Sequence, residues 1–84
     1  MTTVLVRYFA SARAASGVDQ EVLQLPVGAS VSEVLGLLRE RHPDALGRIL
    51  EAASFLVDGI AVRDYSRPLP DGSELDVLPP FAGG

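Results

Sequence analysis

Between Ser30 and Pro43 the chain carries the start, face and stop signals of one helix. Ser30-Val31-Ser32-Glu33 is a capping box: the Ser30 hydroxyl can accept from the Glu33 N–H while the Glu33 side chain reaches back. Behind it Val31, Val34, Leu35 and Leu38 fall at i, i+3, i+4 and i+7, which makes one apolar stripe. His42-Pro43 ends the helix, because the residue before proline is pushed out of the α region. Arg39 and Arg41 sit in the last turn, where positive charge complements the helix dipole; no further role is assigned to them. His42, at the helix end, is read as a cap or surface residue. A helix with a single apolar stripe must bury it against another layer.

The rest of the chain supplies that layer as strands. Thr3–Phe9 is rich in β-branched and aromatic residues and reads as a strand. Ser11–Gln20, small and polar with Gly17, reads as a turn or short loop, and Glu21–Leu25 as a second strand paired to the first as a hairpin. Asp44–Glu51 reads as a short second helical segment with Leu46, Ile49 and Leu50 facing inward. Phe55–Val57 is a third strand, turned by Asp58-Gly59 into Ile60–Val62, a short strand at most. Arg67-Pro68-Leu69-Pro70-Asp71-Gly72-Ser73 is a turn with a second Asp-Gly. Glu74–Leu78 is the last strand, with Leu75 and Val77 on one side and Asp76 and Leu78 on the other. The expected class is α+β: a mixed sheet with one main helix across it, and the first and last long strands parallel at its centre, the β-grasp arrangement. Residues 1–78 form the domain and 79–84 an extended, flexible tail.

Composition removes several functions. At 84 residues the chain is one domain, and at 48% hydrophobic it is apolar enough to fold. With no cysteine there is no disulfide, no thiolate metal site and no cysteine nucleophile. The one histidine lacks the context of a nucleophile–base pair, no metal site is expected, and an independent enzyme is not. A net charge of −4 argues against nucleic acid and suits a partner with a basic docking face. No apolar run is long enough for a bilayer and no signal segment is visible, so no membrane partner and a cytoplasmic location are expected. All seven basic residues are arginines, so lysine-linked chains of this protein are ruled out.

The chain ends Pro79-Pro80-Phe81-Ala82-Gly83-Gly84. Pro79 and Pro80 cannot donate to a ladder, so strand pairing is expected to stop there. Gly83 and Gly84 form a strip of backbone with no side chains, around which another protein's tunnel can close. The Gly84 carboxylate is a weak nucleophile that ATP can activate as an acyl-adenylate. Extended, the six residues from Pro79 reach about 20 Å, enough to enter another active site. Phe81 and Ala82 are expected at the tunnel mouth, Phe9 and Leu78 in an apolar docking patch beside the tail, and Arg13 as an ion-pair partner. Asp58 and Asp71 are turn formers, and Asp76 a candidate carboxylate for a basic partner.

These residues resemble the MoaD/ThiS family of ubiquitin-like sulfur carriers, most of all its molybdopterin synthase small subunits. The resemblance spans essentially the whole chain. It rests on Phe9-Ala10 with Arg13 and Gly17, on Phe55–Asp58, on Pro68-Leu69-Pro70-Asp71-Gly72-Ser73-Glu74, and on Leu78-Pro79-Pro80-Phe81-Ala82-Gly83-Gly84. The chain departs from the family pattern at Asp58, often asparagine, and at Val77-Leu78, often two aromatics. The resemblance implies a carrier that binds no cofactor itself. A ubiquitin-activating-like adenylyltransferase of the MoeB type would use ATP to adenylate Gly84. A sulfurtransferase or cysteine desulfurase would supply sulfur for a Gly84 thiocarboxylate. The tail would then enter the large subunit of molybdopterin synthase, a heterotetramer holding the catalytic groups, and donate sulfur to a cyclic pterin precursor of molybdenum cofactor. Related carriers serve thiamin thiazole synthesis, tRNA thiolation and cysteine synthesis. Two other readings are a protein modifier joined to targets through Gly84, and a free-standing binding module.

Overall fold

The structure is a computed structural model and describes residues 1–80. Strand β1 is Thr2–Tyr8 and strand β2 is Gln20–Leu25, antiparallel to it with Val6 opposite Glu21 and Thr2 opposite Leu25. Helix α2 is Val31–Arg41, helix α3 is Leu46–Ala52, and between the first two strands lies helix α1, Ser11–Ser16. Strands β3 (Ser54–Val57), β4 (Ile60–Ala61) and β5 (Ser73–Leu78) complete the chain. The sheet order is β2-β1-β5-β3-β4. The first and last strands run parallel at its centre, with Val6 beside Leu75 and Tyr8 beside Val77. This is the β-grasp arrangement.

Helix α1 corrects the expectation of a loop over Ser11–Gln20. Gly17 does not break the segment but ends it, in the left-handed conformation (φ 80°) with its N–H bonded to the Arg13 carbonyl. Ala12, Ala14 and Ala15 are strong helix formers, and Ala12 is fully buried. The main helix follows its sequence signals. The Ser30 hydroxyl accepts from the Glu33 N–H at 3.3 Å, and the Glu33 carboxylate meets that hydroxyl instead of the Ser30 N–H. His42 is the C-cap, its N–H on the Leu38 carbonyl.

The core lies between one sheet face and the helices. Val4, Val6, Leu75 and Val77 from the central strands, Leu23 and Leu25 from β2, and Phe55 from β3 meet Val31, Val34, Leu35 and Leu38 of α2 and Leu46 and Leu50 of α3. Ile49 is only half-buried. No helix among the described residues is long and apolar enough to cross a membrane.

Candidate functional site

Strand β5 ends at Leu78, opposite Ser54 of β3, and Pro79-Pro80 follow it. On the other side of this exit, the Phe9 N–H donates to the Val77 carbonyl at 3.2 Å. The ladder between β1 and β5 therefore runs to its last donor before the prolines remove the next ones. Around the exit, Phe9, Ala10, Ser11, Ser54, Leu78, Pro79 and Pro80 line an open, mostly apolar groove of about 460 Å³. Phe9 is 37% exposed.

The groove's edge is held by charge. The Arg7 guanidinium lies 5.4 Å from the centre of the Phe9 ring, a cation–π contact. It also donates in bidentate fashion to Asp76, Nε to Oδ1 at 2.8 Å and Nη2 to Oδ2 at 3.0 Å. The hydrogen bond, then the charge, of Asp76 holds Arg7 still more firmly protonated than usual. Asp76 itself is buried, 7% exposed. This corrects its reading as a carboxylate offered to a basic partner: it is already spent on Arg7.

The structure thus brings Phe9, Leu78, Pro79 and Pro80 together. Arg13 lies apart, on α1, does not line the groove, and faces Asp19 at 3.7 Å with both side chains exposed. Such a pair contributes little by itself. Phe81, Ala82, Gly83 and Gly84 lie outside the described residues. Ala10 was named in the sequence only as part of the Phe9-Ala10 motif, and Ser11, Ser54 and Arg7 were not singled out. Ser11 could have been, as a near neighbour of Phe9; nothing local points to Ser54 or Arg7.

A second polar cluster ties the C-terminal end of α2 to the sheet. Glu21 lies on the helix side of β2, in register with Val6. Its Oε2 accepts from the Tyr8 hydroxyl at 2.6 Å and lies 2.6 Å from His42 Nε2, while Arg41 Nε reaches Oε1 at 3.1 Å. The Tyr8 and His42 rings meet edge to face at 6.0 Å. Burial pushes the Glu21 carboxyl up, but hydrogen bonds from Tyr8 and His42 and the positive charge of His42 and Arg41 outweigh it, holding the carboxyl below its usual range. Burial first, then the hydrogen bond to Glu21, push the Tyr8 phenol far above its ordinary value. His42 is therefore a cap whose ring is engaged in a network, not a surface residue. Among the described residues no three His, Asp or Glu side chains are placed to hold a metal ion.

A sheet of this order, with the first and last strands parallel at its centre and the helices across one face, defines a ubiquitin-like β-grasp protein. Residues 6–84 match the model of the ThiS family, and the chain belongs to that family. It is 32% identical over 82 residues to a Chlamydomonas reinhardtii molybdopterin synthase sulfur carrier subunit, covering 96% of this chain and 98% of the relative. Among solved structures, a Pyrococcus furiosus protein assigned as subunit 1 of molybdopterin converting factor superimposes with a TM-score of 0.82 at 29% identity, covering 96% of this chain and all of that one. Small archaeal modifier protein 1 of Methanosarcina acetivorans gives a TM-score of 0.82 at 28% identity, covering 100% of this chain and 98% of that one.

Proposed function

We propose that this chain is the sulfur carrier subunit of a molybdopterin synthase, with residues 1–78 as the recognised body and residues 79–84 as the tail that carries sulfur on Gly84. The observation that carries the reading is the similarity over nearly the full length of a named sulfur carrier subunit, together with a family match that runs through Gly84. The groove where the last strand leaves the sheet gives a partner an apolar ledge beside the tail. Phe9, Leu78, Pro79 and Pro80 would dock there, with Phe81 and Ala82 beyond them. The two prolines limit the conformations lost on insertion. Arg13 is a peripheral contact on this reading.

The chemistry needs nothing from this chain except its end. The carboxylate is a poor acyl electrophile. A partner of the ubiquitin-activating type makes it a good one by joining it to AMP with release of pyrophosphate. Sulfide displaces AMP and leaves the thiocarboxylate. A persulfide on a desulfurase or sulfurtransferase, cleaved by a thiol reductant, is the source of that sulfide-level sulfur. The thiocarboxylate sulfur then attacks a pterin precursor in the large synthase subunit, which holds the catalytic groups, and water cleaves the Gly84 acyl–sulfur bond to restore the carboxylate. Enclosure of the glycine strip there excludes water and aligns the nucleophile.

The test is intact mass of the chain purified from its own host, beside a sample incubated with ATP, sulfide and the host's adenylating enzyme. Exchange of one oxygen for one sulfur, localised to the Gly84 peptide, supports the carrier. Deletion of Gly84 should abolish sulfur transfer and leave the thermal midpoint unchanged within about 1 °C; a large midpoint loss would mean the tail is structural. The second reading is a protein modifier, favoured by the similarity to the Methanosarcina protein. Conjugated adducts with no sulfur exchange would select it.

A further inference from the structure

Ala10 joins β1 to α1 with φ 50° and ψ −124°. Glycine enters this region freely, whereas an L-residue enters it at a cost because its Cβ crowds the adjoining backbone. Among the described residues the other non-glycine with positive φ is Asp58 (φ 49°), which sits in a hairpin turn of a kind that Asp and Asn tolerate. Ala10 has neither a hairpin turn nor a polar side chain to compensate it.

The surroundings force the conformation. The Phe9 N–H is held by the Val77 carbonyl at 3.2 Å, so Phe9 still belongs to the sheet. The Phe9 carbonyl accepts from Ala12 at 3.0 Å, and the Ala10 carbonyl accepts from Arg13 and Ala14 at 3.1 and 3.3 Å, so both already belong to the helix. The whole change of direction falls on the dihedrals of one residue. That residue lines the groove beside the last strand, next to Phe9, whose ring also meets the Arg7 guanidinium. Strained dihedrals that persist under such over-determination cluster at binding and active sites.

We infer that Ala10 is a positioning residue: its strained backbone fixes Phe9 at the rim of the groove, and its methyl forms part of the wall, so the groove is preformed before a partner arrives. A glycine would relieve the strain, but it would let residues 9–11 sample other directions and would open the wall. The chain keeps the side chain at the expense of stability. This rests on the groove docking a partner as proposed above.

Three full-length variants test it: Ala10→Gly, Ala10→Ser, which retains the Cβ, and Ala14→Gly as an exposed control within the same short helix. In the isolated chain, Ala10→Gly should hold or raise the thermal midpoint, by up to about 8 °C, while Ala14→Gly lowers it by roughly 2–8 °C. Backbone relaxation and ring NOEs should show Phe9 loosened in Ala10→Gly alone. Affinity for the host's large synthase subunit should fall about threefold to tenfold for Ala10→Gly, with Ala10→Ser and Ala14→Gly near wild type. A midpoint loss in Ala10→Gly equal to the control's, or a Phe9 as ordered as in wild type, would overturn the inference. If the wild-type chain itself does not bind that subunit, the functional reading fails, while the midpoint and Phe9 mobility still decide whether Ala10 is strained and positions its neighbour.

Discussion

The two faces of the sheet are made from the same strands and held by different forces. On the helix side, Val4, Val6, Leu75 and Val77 are all at 0% exposure and belong to the apolar core cluster. On the open side the same two central strands present Leu5, Arg7, Glu74 and Asp76, partly covered at best except for Asp76, with Val22 of β2 at 58% exposure. The buried face depends on volume, which many combinations of aliphatic side chains could supply. The open face depends on one bidentate pair whose atoms must meet within 3.0 Å and which steadies Phe9 at the groove. Stability is thus concentrated on one face, and the proposed recognition on the other.

The largest expected effect comes from breaking the buried face. Leu75→Ala should cost about 2–5 kcal/mol, since the site is enclosed by strands and helix on every side. That lowers the thermal midpoint by at least about 8 °C for a domain of this size. A loss below about 1 kcal/mol would show that this face is not the core.

Next comes the polar network on the helix face, which ties β1 and β2 to the end of α2. Tyr8→Phe removes one hydrogen bond to Glu21, worth about 1 kcal/mol at neutral pH. The pH dependence sharpens the point. Glu21 is held below its ordinary value of 4.5 when folded, so it binds protons more readily unfolded. Its contribution is complete above that value and disappears as pH falls from there through the depressed folded value. Denaturation followed from pH 7 to pH 2 should show this acid loss in wild type and a shallower one in Tyr8→Phe. Tyr8 has the opposite sign: its folded value is raised, so its contribution holds below about pH 10 and is lost above it. An acid limb identical in the two proteins would remove Glu21 from the account.

The smallest effect on stability is expected on the open face. Asp76→Asn leaves Arg7 half exposed and able to find water, so the midpoint should move less than in Tyr8→Phe. Partner affinity should move more, because Arg7 no longer pins the Phe9 ring. Calorimetric titration against the large subunit, beside a thermal melt, separates the two. A stability loss matching Leu75→Ala would erase the contrast between the faces.

Much of this was legible in the chain. The helix over Val31–Arg41 was readable because its cap, stripe and stop are local, and the strands because their alternation is local too. The Asp58-Gly59 turn followed from turn chemistry, and the parallel pairing of the first and last strands at the centre of the sheet from the need to cover one helix. Phe9, Leu78 and the two prolines were singled out, and they share one groove. Helix α1 was not legible, because six residues carry too little periodicity to outweigh small polar side chains and a glycine. Arg7 with Asp76 was not legible either, because 69 residues separate them.

The sequence by itself determined the class of fold, the apolar stripe and the composition of the tail, all of which arise from patterns within a few residues. Tertiary structure alone decided that Asp76 serves Arg7 instead of a partner, that His42 joins Tyr8 and Glu21, and that the turn into α1 falls on Ala10. The first two outcomes depend on strand register, since a slip of one residue in a strand would send its share of Arg7, Tyr8, Glu21 and Asp76 to the opposite face; the third depends on where the sheet hands the chain to the helix.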